Sequence, residues 1–519
     1  MPPREKKSAD GKRGSRSAPE EIEAVLWRAA DKLRGSLDSA QFTEFILGLI
    51  FLKFLSDAFD EHREKVAKEL AADGLSEDRI ARFLDDRDEH SSARVSWVPE
   101  AARWPWVAAN ARSQGVGKLL DQAMDAVMRE NAYLADVFPK IFDCDTIDQG
   151  RLAEVVDLIS GLHLGGASDR PAQDVLGEVY EYLLDRFASA EGRRGGEFHS
   201  PPSVVRLIVE ILEPCNGRVY DPACGSGGML VQAHKFVEAH GGQSDLAIYG
   251  QEINERTWRL AKMNLAIHGI DGDLAAGWGD TFTDDKHPDL QADFVMADPP
   301  FNIQDWARNE SDARWKYGLP PERNANYAWL QHVLSRMGEQ GTAGIVLANG
   351  SLTSKSSGEG KIRRAMVEDD VVACIIALPS QLFRTTQIPA CLWVLAKDKS
   401  PQSARGTIDR RGQILFIDTR ESGTMADRTE RVLTDTDRTR VADVYRAWRG
   451  AASAQATGLA YEDESGFCFS ANVTDVREHE YALTPGRYVG VAPQVPPEPP
   501  TAQSVDPATL MRDLYAIFD

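Results

Sequence analysis

Apolar residues recur every three to four positions from about Glu21 to Leu164, a spacing that predicts helices. EEIEAVLWRAADKLRGSL opens the series. SAQFTEFILGLIFLKFLSDAFDEHREKVAKEL continues it as one long, strongly apolar helix with Ser39 in the N-cap position. The stretch from about 85 to 116, rich in Asp, Arg, Pro and Trp, breaks the pattern and predicts a loop or lid; QAMDAVMRENAYLADVF then restores helix. No residue of this region carries catalytic chemistry, so it reads as a packing or partner-docking module. From about Asp169 to Lys397 the pattern changes. Short apolar runs (RVYDPA, LAIYGQEI, ADFVMADPP, AGIVLANG, VVACIIALP, ACLWVLAK) alternate with helical stretches, which predicts an open, doubly wound α/β sheet. The last two runs are separated by only about a dozen residues without helical spacing, so an antiparallel hairpin at one sheet edge is expected. The chain divides on this reading into a basic disordered tail (1–20), a helical domain (21–165), an α/β domain (166–400) and a C-terminal region (401–519). That last region includes the linker PPEPPTAQ and a final helix, PATLMRDLYAIF.

Composition narrows the class. The chain has 519 residues, 42% hydrophobic and 27% charged, the balance of a globular protein with a large core. The most apolar stretch, Phe45 to Leu55, is short and interrupted by Lys53, so it predicts a buried helix rather than a membrane span. The basic, polar N-terminus lacks the apolar centre of a signal peptide. Six cysteines without a C-x-x-C pair argue against a zinc site and against a disulfide scaffold, and a cytoplasmic location is expected. The net charge of −21 matters most: a protein that grips DNA alone usually shows a basic face, so action on DNA through a DNA-binding partner is the better fit.

Four motifs carry chemistry. Arg218 to Leu230, RVYDPACGSGGML, is a strand followed by the Gly-rich turn Gly225-Ser226-Gly227-Gly228 and a helix near Met229. Neither the dinucleotide fingerprint nor the P-loop pattern is met, so a phosphate cradle is disfavoured. A turn that lets backbone approach an uncharged or cationic nucleoside suits S-adenosylmethionine, with Asp221 placed to accept from an ammonium or from loop amides. Glu252, 31 residues later at the end of the next strand, is a candidate for both ribose hydroxyls. Asp280, in GWGDTF, falls where a third strand is expected to end; it is a candidate acceptor for the cofactor's adenine amine, or a simple Asp turn.

The fourth motif is Asp298-Pro299-Pro300-Phe301, after the strand ADFVMA. An exocyclic base amine is a poor nucleophile because its lone pair is delocalised into the ring. Two acceptors aimed at its hydrogens favour a tetrahedral nitrogen and free the lone pair. The Asp298 carboxylate and the Pro299 carbonyl are candidates for those acceptors. The prolines fix φ and remove competing donors, and Phe301 offers a face on which a flipped base stacks. The plain alternative is a rigid Pro-Pro turn. Only 17 residues lie between Asp280 and Asp298, so a target-recognition domain must follow the catalytic part or sit on another chain.

Taken with GGEFHSPPSVVRLIVEIL, NYAWLQHVLSRMGEQGTAGIVLANG, IPACLWVLAKDK and LTPGRYVG, these motifs resemble the modification subunits of type I restriction-modification systems, gamma-class amino-methyltransferases. The resemblance covers nearly the whole chain after residue 20. It implies adenine-N6 methylation of double-stranded DNA. It implies a cofactor site lined by Glu197, Phe198, His199, Ser200, Pro201, Pro202, Ser226, Gly227, Gly228 and Glu252. It implies a helical N-terminal domain that closes over DNA and a C-terminal end that docks a separate specificity subunit. The implied assembly has two modification subunits to one specificity subunit, joined by a restriction subunit. Two positions depart from the family: Asp298 stands where Asn is most frequent, and HSPP replaces a more usual Thr-Pro. Asp supplies acceptors too, so adenine remains the expected base. Three alternatives stand beside this reading: a self-sufficient methyltransferase with its recognition module in 401–519, a methyltransferase acting on another amide or amine, and an inactive scaffold.

Overall fold

The computed structural model describes residues 25, 28–29, 31–33, 39–93, 95–112, 115–144, 147–162, 177, 179–184, 200–240, 245–383, 388–402 and 405–491. The basic tail, the PPEPPTAQ linker, the final helix and the Glu197–His199 segment lie outside them.

The long apolar helix spans Ser39–Ala72, and every residue from Phe45 to Leu52 is buried. A helix apolar on every face belongs in a core, and no described helix is long and apolar enough to cross a membrane. Lys53 does not disrupt it, because its ammonium pairs with Asp57 one turn on at 2.7 Å. The expected loop or lid at 85–116 is corrected. Short helices Arg87–Ser92 and Trp104–Asn110 form there, and Val98, Ala102, Trp104 and Val107 enter the same core as Phe51 and Phe59. The Trp104 amide donates to Ser56 at 2.7 Å, tying the segment to the long helix. Helices Val116–Glu130 and Gln149–Ser160 complete this layer.

All six apolar runs become strands: β1 (Asn216–Asp221), β2 (Asp245–Gly250), β4 (Ala292–Ala297), β5 (Met337–Ala348), β6 (Val372–Ala377) and β7 (Ala390–Ala396). Short β3 (Gly272–Asp273) and later β8 (Gln413–Asp418) and β11 (Cys468–Asn472) extend them to a nine-stranded sheet of order β11-β8-β6-β7-β5-β4-β1-β2-β3. A separate ribbon joins β9 (Thr424–Met425) to β10 (Arg431–Val432). β6 and β7 pair antiparallel as expected, but not at an edge, because β7 is also paired to β5 and β6 to β8. The sheet therefore runs on past residue 400. Both faces are covered. Helices Pro202–Leu212, Gly228–Ala239, Glu255–Ile267 and Asp435–Arg449 pack on one, and Asn326–Arg336 and Glu359–Glu368 on the other. The chain crosses from one face to the other between β1 and β4, and such a switch point opens a crevice at the strands' carboxyl ends.

Helix Glu255–Ile267 is also gripped by the helical layer. Met263 and Ile267 are buried in that layer's core, worth about 1.5–3 kcal/mol each. Glu44 pairs with Arg256 at 3.2 Å and Arg259 at 3.0 Å, and the Tyr180 hydroxyl donates to the Leu260 carbonyl at 3.0 Å. The helical layer thus abuts the helix that follows Glu252.

Candidate active site

Three adjacent strands, β4, β1 and β2, each deliver one carboxylate to the crevice: Asp298 directly after β4, Asp221 as the last residue of β1, and Glu252 two residues beyond β2. Parallel register aligns β1 with both neighbours, Val219 beside Phe294 and Asp221 beside Gly250, so the three groups share one edge. Asp221 is 2% and Glu252 5% exposed. Asp221 accepts from the Ala223 amide at 3.0 Å. Glu252 accepts from the Gly225 amide at 3.1 Å through one oxygen and from Asn254 at 2.8 Å through the other. Each Glu252 oxygen still has a lone pair for a further donor.

Burial raises all three carboxyls. Asp221 is pushed up to about 8, eased by the Ala223 amide and raised further by the charges of Asp298 and Glu252. Asp298 is pushed up to about 7, opposed by a hydrogen bond from the Ser200 hydroxyl. Burial also raises Glu252, against the amides of Asn254, Gly225 and Ile253. Buried Asp221 and Glu252 and half-buried Asp298 repel one another when ionised, and a phosphate would worsen that. A ligand bearing sulfonium and ammonium charge relieves it, so these residues fit S-adenosylmethionine.

The Gly-rich turn has the backbone its composition demands. Gly225 (φ 54°) and Gly227 (φ 79°) lie in the left-handed region, and the helix Gly228–Ala239 starts directly after. A side-chain carbon at Gly228 would meet nothing within 4 Å, so the turn leaves open space beside it. Ser226 is buried, with its carbonyl accepting from Asn264 at 2.9 Å.

Asp280 differs from expectation in one respect. β3 ends at Asp273, so Asp280 is not at a strand end. Its carboxylate accepts from the Phe282 amide at 2.8 Å in an Asp turn. The turn is nevertheless brought to the site: the Gly279 amide donates to the Glu252 carbonyl at 2.9 Å, and Gln251 donates to the Gly279 carbonyl at 2.9 Å.

Pro201 and Pro202 open the helix Pro202–Leu212, with proline in the first turn where no amide is needed. This start brings Ser200 to Asp298 itself, a role that the HSPP motif alone did not reveal. In the Asp298–Phe301 motif Pro299 is buried and Pro300 exposed, while Phe301 meets Phe383 edge-on at 5.3 Å. Sequence reasoning also missed Asn302, which follows in the left-handed conformation (φ 55°). An Asn after the motif was the available signal, since Asn tolerates that region better than most residues. Gln251 and Asn264, which hold the cofactor-side loops, gave no signal.

The chain's similarity to known proteins runs over both layers. A family model described as N-6 DNA methylase matches residues 171–495, and one described as the HsdM N-terminal domain matches residues 22–159. The HindI type I methylase subunit of Haemophilus influenzae is 43% identical over 81% of this chain and 93% of its own length. The MjaIX type I methylase subunit of Methanocaldococcus jannaschii is 35% identical over 91% of this chain and 84% of its own. The solved type I methyltransferase subunit of Streptococcus thermophilus superposes with a TM-score of 0.73 at 24% identity, over 91% of this chain and all of that one, and so shares its fold. Agreement in both layers, at these identities and lengths, means that the chain belongs to the methylase subunits of type I restriction enzymes.

Proposed function

We propose that this protein transfers the methyl group of S-adenosylmethionine to the N6 amine of an adenine flipped out of double-stranded DNA, with the target sequence set by a separate specificity subunit. The observation that carries this reading is the placement of Asp298-Pro299-Pro300-Phe301 at the end of β4, one strand from Asp221 and two from Glu252. The cofactor supplies an activated methyl group on a sulfonium. Glu252 takes the ribose hydroxyls, Asp221 faces the cationic portion, and Gly225–Gly228 lets the backbone close on it. Asp280, Pro201 and Pro202 complete the cofactor walls. The Asp298 carboxylate and the Pro299 carbonyl accept the two N6 hydrogens and localise the nitrogen lone pair toward the methyl group. Phe301, braced edge-on by Phe383, stacks on the base. Ser200 donates to the Asp298 carboxylate and favours its ionised form against burial.

The acidic chain, net −21, suits a subunit that meets DNA within a larger assembly. That assembly holds two copies of this chain, one specificity subunit and, in the complete enzyme, a restriction subunit, and it works in the cytoplasm. Labelled methyl transfer to DNA should be at background with the chain alone and appear when the specificity subunit encoded beside it is added. Full transfer by the chain alone would instead make it a self-sufficient enzyme.

Cofactor affinity should depend on pH. A cationic ligand stabilises ionised carboxylates, and Asp221 and Asp298 ionise only near pH 8 and 7 in the free protein. Binding at neutral pH therefore releases protons, and affinity rises between pH 6 and 8. Calorimetry in buffers of different ionisation enthalpy reads this directly, and binding without net proton release would contradict the assigned cluster.

A further inference from the structure

Among its anchors, the segment between the Asp298–Phe301 turn and helix Asn326–Arg336 is fastened to the site's own turns at two points. At the first, Asn326 receives the Asn302 amide at 3.0 Å and donates to the Asn302 side-chain oxygen at 2.8 Å. Asn324 donates to that same oxygen at 3.2 Å, and the Ala325 amide to the Ile303 carbonyl at 3.1 Å. Asn326 is 2% exposed, so this bracket lies inside the protein and fixes the left-handed residue directly after Phe301. At the second point Arg314 spreads its guanidinium over the turn that carries Asp280. It donates to the Thr281 carbonyl at 2.7 Å and to the Phe282 carbonyl at 2.8 Å.

The Arg314 group is itself held. Asp312 takes its Nε at 2.9 Å, Asp285 lies at 3.6 Å, and His332 Nδ1 lies 3.0 Å from Nη1. His332 is wholly buried between the cations Arg314 and Arg336. Burial and those charges keep it neutral, so Nδ1 accepts from Arg314 and Nε2–H faces the Tyr220 hydroxyl at 3.3 Å. Tyr220 immediately precedes Asp221. The guanidinium thus links the Asp280 turn to the strand bearing Asp221, through planar, paired donors that a lysine lacks.

We propose that Asn326 and Arg314 are positioning residues with divided tasks: Asn326, through Asn302, sets the catalytic turn, and Arg314 sets the cofactor-side turn at Asp280. This rests on the site reading given above. The division predicts opposite kinetic signatures, whereas a merely structural role moves all parameters together. In the complex with its specificity subunit, Arg314→Lys should raise KM for S-adenosylmethionine about tenfold with kcat within about threefold. Asn326→Ala should lower kcat about 30-fold with cofactor Kd within about twofold, because misplacement of the acceptors by a fraction of an ångström is costly. Should Asn326→Ala not fold, Asn302→Gly replaces it, since glycine adopts φ 55° readily and removes only the bracketed side chain. Unchanged cofactor KM in Arg314→Lys, or equal shifts of kcat and KM in both variants, would overturn the proposal. Failure of the wild-type complex to bind cofactor or methylate DNA would overturn the site reading instead, so the two failures are distinguishable.

Discussion

Asp298→Ala should lower kcat for methyl transfer about 10³-fold, while cofactor affinity stays within about threefold. The loss follows from the chemistry of the nucleophile: without the carboxylate, one N6 hydrogen has no acceptor and the lone pair stays in the ring. Asp298→Asn separates acceptor from charge. It keeps an acceptor oxygen and should retain activity within about tenfold of wild type. It should also change the pH profile. In the wild type Asp298 titrates near 7; as pH falls through that value it becomes an O–H donor facing the N6 hydrogens, and the rate falls about tenfold per pH unit. A bound cationic cofactor lowers this pKa, so the acid limb of kcat should lie below that of kcat/KM. Asn has no such limb. Single-turnover rates between pH 5.5 and 8.5 check all three statements, and an acid limb that persists unchanged in the Asn variant would assign it elsewhere.

Glu252→Ala should act on binding instead. In the proposed site its two oxygens accept from a vicinal diol, and hydrogen bonds to a charged group are worth about 1.5–3 kcal/mol each. The same carboxylate anchors the Gly225 and Asn254 amides, so its removal also loosens the Gly-rich turn. Cofactor Kd should rise about 100-fold, with kcat at saturating cofactor within about fivefold. Calorimetric titration of the purified chain measures the first quantity; an unchanged Kd would remove Glu252 from the cofactor site.

The sheet was legible in the sequence because its central strands are covered on both faces. Every residue of Val372–Ala377 and Ala390–Ala396 is buried, so each reads as an unbroken apolar run. The position of that pair within the sheet was not legible. The strands that extend it, β8 and β11, are short and polar-flanked, and β11 joins only through antiparallel pairing with β8. The 85–116 segment misled for a related reason: its Asp, Arg and Pro residues mask the few apolar positions, Val98, Ala102, Trp104 and Val107, that dock it. In the site, strand-end carboxylates and the Gly-rich turn were readable because local chemistry dictates them. The Ser200 contact to Asp298 and the Arg314 contacts to Thr281 and Phe282 were not, since they join residues far apart in the chain and no local spacing encodes them. Asp280 shows the limit from the other side: its motif was visible, but the two-residue β3 placed it beyond a loop rather than at a strand end.

The most direct measurement is nucleoside analysis of DNA methylated by this chain together with its specificity subunit, using labelled S-adenosylmethionine. Label is expected in N6-methyladenine alone, and none when Asp298→Ala replaces the wild-type chain. Label in N4-methylcytosine, or label in adenine that persists in the Asp298→Ala complex, would contradict the proposed reaction.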